Sequence, residues 1–228
     1  KFLTPMNSEN NSEIEAELKK LGYWNEIYSK QNYFGTGPTI LAIEAQEIIK
    51  KNSISNILEL GCGQGRDSLF FVNLGCKVIG TDISENAINF VKQIKNKQNL
   101  ENLELFVHDT LNPFTFKNSN FELVYSNLAL QFFDLTQLSQ IFSNIKKIMK
   151  PNSFFFFSTK KPGDKYFEFG NKISENSFEY NGITRFFFNK TELENILKNY
   201  FTIMSFEDDS HINPDETKSV WWKILVKN

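Results

Sequence analysis

The sequence predicts an α/β fold, a doubly wound and mostly parallel sheet behind an N-terminal helical cap. Three observations carry this. Apolar strand-sized runs alternate with helix-spaced segments from residue 57 to residue 159, the pattern of a parallel sheet with helices on both faces. Residues 57–60, ILEL, read as a central strand buried on both faces. Gly61, Gly63 and Gly65 follow at alternate positions, where a missing Cβ permits a sharp turn and close approach to the backbone.

Taken in order, residues 1–12 are polar after a short apolar start and lack the longer hydrophobic region of a signal peptide, so they read as a mobile tail. The chain opens on Lys1 with a Met at position 6, as expected of a lost start or a processed end. Residues 13–52 form the expected cap or lid. Helical spacing at Ile14, Leu18, Leu21 and Ile27 carries the aromatic cluster Tyr23, Trp24 and Tyr28. Pro38 is placed to start a second helix reaching about Lys51. The remainder, 53–228, reads as the main domain. Its helices are predicted at 67–74, 85–97 and 135–149, the last stopped by Pro151 and Asn152 before a strand at 153–159. Residues 160–181 look like a long excursion on the substrate side before 183–188. A helix at 191–199 follows, then strands at 201–207 and 220–226 separated by a polar loop, 208–219.

Composition narrows the function classes. The chain has 228 residues, suited to one domain with a small cap, and a formal charge of −2. Its pI is near 5.8, so no nucleic-acid footprint is expected. No apolar run approaches the ~20 residues of a membrane span. Cys62 and Cys76 form no metal-like cluster with the two histidines, His108 and His211, so no metal site is expected; small buried packing in a reducing cytoplasm is their expected role. His211 lies in a polar stretch and reads as solvated.

The glycine loop separates two cofactor classes. The run after residue 60 ends on Gly65, a helix follows from Arg66, and Asp82 closes the next apolar strand about 20 residues on, where an acid meets a ribose hydroxyl pair in dinucleotide-type folds. Nicotinamide folds use G-x-G-x-x-G, whereas this chain has G-x-G-x-G preceded by Glu59 in the strand. With that motif the chain resembles the class I S-adenosylmethionine-dependent methyltransferases. The resemblance implies a Rossmann-like, seven-stranded sheet completed by a C-terminal antiparallel hairpin. It also implies a cofactor site of Glu59, Gly61, Cys62, Gly63, Gly65, Asp82, Ile83, Asp109, Thr110 and Asn127, with Asp82 on the ribose and Asp109 on the adenine amine. Ser126 and Leu128 are expected to border the same site. The loop GCGQGRDS is similar, more narrowly, to that of small-molecule methyltransferases grouped around tellurite resistance and thiopurine methylation. The D/N-P-P-Y/F motif of amino-methylating DNA enzymes is absent at 126–129.

The implied reaction is in-line displacement at a sulfonium methyl, with the acceptor held within about 3–3.5 Å. The expected cofactor is S-adenosyl-L-methionine and the expected partner a small-molecule acceptor, with no nucleic acid and no membrane. No catalytic acid or base is assigned, because a soft anion needs only alignment. Trp24, Tyr28, Tyr33 and Arg66 are the candidate lid or substrate residues; an aromatic wall suits both a sulfonium and an apolar acceptor. Two other classes stay open at this point: a cofactor-binding sensor or partner subunit that transfers nothing, and a nicotinamide-dependent oxidoreductase.

Overall fold

The strand Asn56–Leu60 (β1) buries every residue after its first, which is why the sequence here runs apolar without alternation. Successive side chains point to opposite faces. Ile57 packs with Leu123, Tyr125 and Phe156 on one side of the sheet, and Leu58 with Val124, Phe155 and Phe157 on the other. The structure is a computed structural model and describes residues 8–116 and 120–228.

β1 pairs in parallel with Lys77–Asp82 (β2) and with Phe121–Asn127 (β4). β2 pairs with Leu103–Val107 (β3), and β4 with Met149–Lys160 (β5), again in parallel. The last two long strands, Thr202–Ile212 (β9) and Lys218–Lys227 (β10), form an antiparallel hairpin whose β10 joins β5. The resulting order is β3-β2-β1-β4-β5-β10-β9. Strand order reverses between β1 and β4, so a crevice opens beyond their carboxyl ends.

Helices cover both faces. Ile40–Asn52 (α2), Arg66–Asn73 (α3) and Glu85–Gln98 (α4) enclose one core, built on Leu41, Ala45, Phe71, Ile88 and Val91. Leu135–Ile148 (α5) and Lys190–Leu197 (α6) enclose the other, with Ile141, Phe142, Ile145 and Leu193. Asp134 and Gln137 close a reciprocal capping box at the start of α5. Lys146 and Lys147 sit in its last turn, favourable to the helix dipole.

Several boundaries differ from expectation for identifiable reasons. The first helix, α1, spans Ser8–Ile27, so residues 8–12 of the segment read as a tail are helical, and residues 1–7 lie outside the described residues. Once nucleated, a helix extends through polar residues at little cost, and an apolar pattern does not register that extension. Pro38 does not open α2; Thr39 is its N-cap, accepting from the Ala42 N–H at 3.2 Å, and Pro38 precedes the cap. β5 begins at Met149, directly after α5. Its pairing with β4 jumps from Met149 to Phe154, so Pro151 and Asn152, the latter at φ 64°, sit in an irregularity rather than a break. The loop expected at 208–219 shrinks to 213–217, because β9 runs on to Ile212 and β10 starts at Lys218. Asp208, Ser210, His211 and Ile212 are exposed on the two faces of β9, so a polar sequence suits a strand there. His211 is therefore a strand residue, paired with Ser219 and exposed.

The excursion after β5 is organised. Asn171–Ser174 (β6), Ser177–Tyr180 (β7) and Ile183–Phe186 (β8) make a separate three-stranded antiparallel sheet. Its β8 packs on the short 3-10 turn Leu130–Phe132 that follows β4. No described helix is long and apolar enough to cross a membrane.

Candidate functional site

The three loop glycines all take left-handed backbone angles, φ 68° at Gly61, 50° at Gly63 and 77° at Gly65, which L side chains rarely adopt. What approaches each one differs. A Cβ at Gly61 would lie 2.5 Å from the Ala129 Cβ, and one at Gly63 would lie 2.7 Å from the Tyr28 hydroxyl oxygen. A Cβ at Gly65 would strike Val91 Cγ1 at 2.7 Å. Gly65 is thus the glycine that lets α3 pack on α4. It is absent from the cavity, whereas Gly61 and Gly63 line it.

Asp82 ends β2 beneath this loop. Its Oδ2 accepts the Gly63 N–H at 2.8 Å and its Oδ1 the Ser84 N–H at 2.9 Å. Burial pushes the carboxyl up from its ordinary value, and the N–H groups of Ser84, Gly63 and Ile83 oppose that rise. Each oxygen has a second lone pair, so the carboxylate fixes the loop and retains capacity for hydroxyl donors. Glu59 is buried and accepts from the Ser68 hydroxyl. Burial and then the neighbouring Asp67 hold its carboxyl well above the usual range. The Cys62 thiol is likewise raised by burial, then by Glu59 and Asp82.

One cavity of about 430 Å³ joins these groups. It contains Glu59, Gly61, Cys62, Gly63, Asp82, Ile83, Asp109, Thr110 and Asn127, and also Trp24, Tyr28, Tyr33 and Arg66. Of the residues named from sequence as cofactor, lid or substrate contacts, Gly65 alone stands outside. Asp109 Oδ1 closes an Asx turn on the Leu111 N–H at 3.0 Å, and its Oδ2 accepts from no described residue. Asn127 Oδ1 takes the Ser158 hydroxyl at 2.7 Å. Leu128 follows at φ 51°, a left-handed angle costing a non-glycine residue about 1–2 kcal/mol, which turns the chain sharply at the cavity wall. Ser126, expected at the border, is instead buried with its hydroxyl on the Leu60 carbonyl at 3.1 Å.

The cap is fastened to the loop by residues whose partners are far away in sequence. Gln64 donates to the Lys30 carbonyl at 2.9 Å and accepts the Tyr33 N–H at 3.0 Å. The Arg66 guanidinium, a candidate lid or substrate contact, holds the Gly37 carbonyl at 2.6 Å and also the Phe34 carbonyl. Asp67 takes the Thr39 N–H at 2.8 Å, the Thr39 hydroxyl at 2.7 Å and the Tyr125 hydroxyl at 2.7 Å. At the other end, Asn25 of α1 accepts the Ser84 hydroxyl at 2.7 Å at the start of α4.

These ties seat an aromatic wall over the crevice. Trp24 stacks on Tyr28 at 5.9 Å and meets Phe132 edge-on at 5.0 Å, and Tyr28 meets Phe34 at 6.0 Å. The Tyr28 hydroxyl is pushed far up by burial and then by Asp82, Cys62 and Glu59, so at neutral pH it is a donor and not a base. The far side of the cavity holds Gln131, Phe132, Phe133, Lys160, Tyr166 and Arg185. Of these only Lys160 and Tyr166 fall in the segment expected to supply the second wall. Sequence reading passed over Gln64, Asp67, Gln131 and Arg185. The proximity of Gln64 and Asp67 to the glycine loop was an available signal; Arg185 had none.

Cys62 and Cys76 are both free and buried. Among the described residues, no group of three or more His, Cys, Asp or Glu side chains is arranged to hold a metal. His108 packs its ring on Phe114 at 4.8 Å, with Nε2 buried and unpartnered among the described residues.

Comparison with known proteins identifies the family and the fold. A protein of Haemophilus influenzae described as a probable S-adenosyl-L-methionine-dependent methyltransferase, TehB, is 32% identical over 120 residues, covering 52% of this chain and 41% of that relative. The chain thus spans less than half the length of this curated relative. The crystal structure of TehB from Haemophilus influenzae superposes with a TM-score of 0.63 at 20% identity, over 92% of this chain and 67% of that one. A methyltransferase structure from Methanosarcina mazei gives 0.66 at 21% identity, over 79% and 96%. At such identities these two establish the fold. The family model described as tellurite resistance protein TehB matches residues 23–190, from the aromatic cluster of α1 to the first residue of α6, and the chain therefore belongs to the TehB family.

Proposed function

We propose that this chain transfers a methyl group from S-adenosyl-L-methionine to a small-molecule acceptor. One observation carries the reading: a single cavity joins the glycine loop and Asp82 to an aromatic wall and also contains Gln131, Lys160 and Arg185. The residues present suit the cofactor. Asp82 has acceptor capacity for a ribose hydroxyl pair, the free oxygen of Asp109 suits an exocyclic amine, and Gly61, Cys62 and Gly63 supply a tight backbone cradle.

When bound, the cofactor supplies an activated methyl group on a sulfonium. The protein's part is alignment and exclusion of water. Trp24, Tyr28, Tyr33 and Phe34 close the crevice from above, and Gln64, Arg66 and Asp67 hold their segment in place. Among the groups around the loop, Glu59 and Tyr28 are both held toward their protonated forms, so the site favours an acceptor that arrives with its lone pair ready. Residues 13–52 act as the lid, 53–228 as the methyltransferase domain, and 160–181 as part of the acceptor side. Two buried free cysteines support a cytoplasmic setting, and the acidic balance supports a small molecule over nucleic acid.

Isothermal titration with S-adenosylmethionine, S-adenosylhomocysteine and NADH tests this. Micromolar binding of the first two alone is expected. Binding of NADH only, or of none, would overturn the reading, and formation of S-adenosylhomocysteine with any acceptor separates an enzyme from a cofactor sensor.

A further inference from the structure

The far wall of the cavity presents a cation that no described carboxylate answers. Arg185, on β8, has its guanidinium carbon 4.8 Å from the ring centre of Tyr166 and 5.8 Å from that of Phe132. Among the described residues it forms no ion pair or hydrogen bond. Lys160, at the end of β5, is different: its ammonium is paired with Asp164, whose oxygens also take the Tyr166 N–H at 3.0 Å and the Val220 N–H at 2.9 Å. The cavity's carboxylates are Glu59, Asp67, Asp82 and Asp109, on β1, α3, β2 and the turn after β3. They flank the glycine loop, while Arg185 and Lys160 lie on the small sheet and at the end of β5. Arg66, the other arginine of the lining, follows the glycine loop and is held by the Gly37 and Phe34 carbonyls.

A second feature lines the same cavity. Gln131 is 5% exposed and lines the same cavity. Its Nε2 donates to the Leu128 carbonyl at 2.5 Å, and its Oε1 is buried without any donor among the described residues. A buried amide oxygen carries a desolvation cost until a donor reaches it. The same cavity carries the rings of Phe132, Phe133, Tyr166 and Trp24.

We propose that the acceptor pocket takes an aromatic carboxylate bearing an amino or hydroxyl group, with its carboxylate on Arg185, its donor on Gln131 Oε1 and its ring among Phe132, Tyr166 and Trp24. Arg is suited to this because its planar fork matches a carboxylate in two parallel hydrogen bonds while its face stays on an aromatic ring. Arg185 has these aromatic contacts but no acceptor for its N–H groups among the described residues. A neutral acceptor of the same shape leaves this charge unanswered.

The inference rests on the methyltransferase reading and names the substrate class of that site. The test uses the full chain saturated with S-adenosylhomocysteine, whose own binding is measured first. Failure there removes the methyltransferase reading itself. With the cofactor product bound, titrations follow with 2-aminobenzoate, 4-hydroxybenzoate, benzoate and the neutral 2-aminobenzamide. At least one substituted benzoate is expected to bind about tenfold or more tightly than 2-aminobenzamide and than benzoate. Arg185→Gln should abolish the preference for acid over amide and Arg185→Lys should restore part of it, both with unchanged affinity for S-adenosylhomocysteine. Gln131→Leu should abolish the preference for a substituted benzoate over benzoate. Equal binding of acid and amide, a preference that survives Arg185→Gln, or no binding of any benzoate to the loaded chain would each overturn the proposal and leave the cofactor assignment standing.

Discussion

Removing the Asp67 carboxylate should loosen the attachment of the cap to the sheet by an amount that can be worked from its partners. Asp67 is 3% exposed and accepts three hydrogen bonds, from the Thr39 N–H, the Thr39 hydroxyl and the Tyr125 hydroxyl. Tyr125 is itself fully buried, edge-on to Phe71 at 5.0 Å. In Asp67→Ala, the two hydroxyls still lie 3.0 Å apart and can satisfy one donor between them. The Thr39 N–H and one hydroxyl are left without an acceptor, at ~1–3 kcal/mol each, for a total near ~3 kcal/mol after partial relaxation. For a chain of this size that corresponds to a fall in Tm of roughly 6–12 °C. Urea unfolding followed by tryptophan fluorescence should show a lower midpoint with an unchanged slope. Tyr125→Phe removes one of the same donors, so the double variant should lose less than the sum of the two. A loss below ~1 kcal/mol for Asp67→Ala, or strict additivity in the pair, would refute the account of Asp67 as the buried tie.

Four further outcomes follow from the same geometry. Asp82→Asn keeps one carbonyl oxygen but turns an amide donor toward either the Gly63 or the Ser84 N–H; affinity for S-adenosylhomocysteine should drop roughly 10- to 100-fold, and an unchanged value in calorimetry removes Asp82 from the ribose site. Gly65→Ala combines a φ of 77° with a Cβ 2.7 Å from Val91, so chemical denaturation should report roughly 2–4 kcal/mol of lost stability. Glu122 tests pH dependence: partial burial raises its carboxyl, but Lys150, Ser55 and the Asn56 N–H outweigh this and hold it at about 2, below the ordinary 4.5. Its contribution is therefore fully present above pH 4.5 and is lost as pH falls toward 2; solvent screening keeps it near ~1 kcal/mol, and Glu122→Gln should flatten that part of the acid limb. Arg66→Ala frees the Phe34 and Gly37 carbonyls, so limited proteolysis should cut the segment between α1 and α2 faster than in the parent chain; equal rates would mean that Gln64 and Asp67 suffice to hold it.

The core of the fold was legible because its signals are local. β1 and β2 read as apolar runs since both faces are buried, and the Gly61 to Gly65 loop takes the left-handed angles that its residues announce. The errors fall where sequence and environment are decoupled. At 208–212 the chain is strand although it reads as loop, since an exposed two-stranded ribbon accepts any polar side chain while its backbone ladder is satisfied. At residues 8–12 the helix extends past the amphipathic pattern that revealed it. The irregular entry to β5 hides behind a proline that normally ends an element, because pairing resumes at Phe154.

The same division explains why one half of the cavity was visible and the other was not. Asp82 lies 19 residues from the Gly63 N–H that it accepts, within one strand-loop-helix-strand unit whose spacing is fixed by the fold. Asp67 reaches 28 residues back to Thr39 and 58 forward to Tyr125, and Arg185 meets Phe132 only because β8 folds back over the turn after β4. No periodicity links such positions. A site for a common cofactor is written into a contiguous motif, since every user of that cofactor must hold the same atoms. A pocket for an acceptor particular to one enzyme is assembled from insertions and strand-end loops, where substitutions leave the sheet intact. The guanidinium of Arg185 and the amide oxygen of Gln131, neither of them hydrogen-bonded to any described residue, belong to that second kind of site in the proposed reading, and they are visible only once the chain is folded.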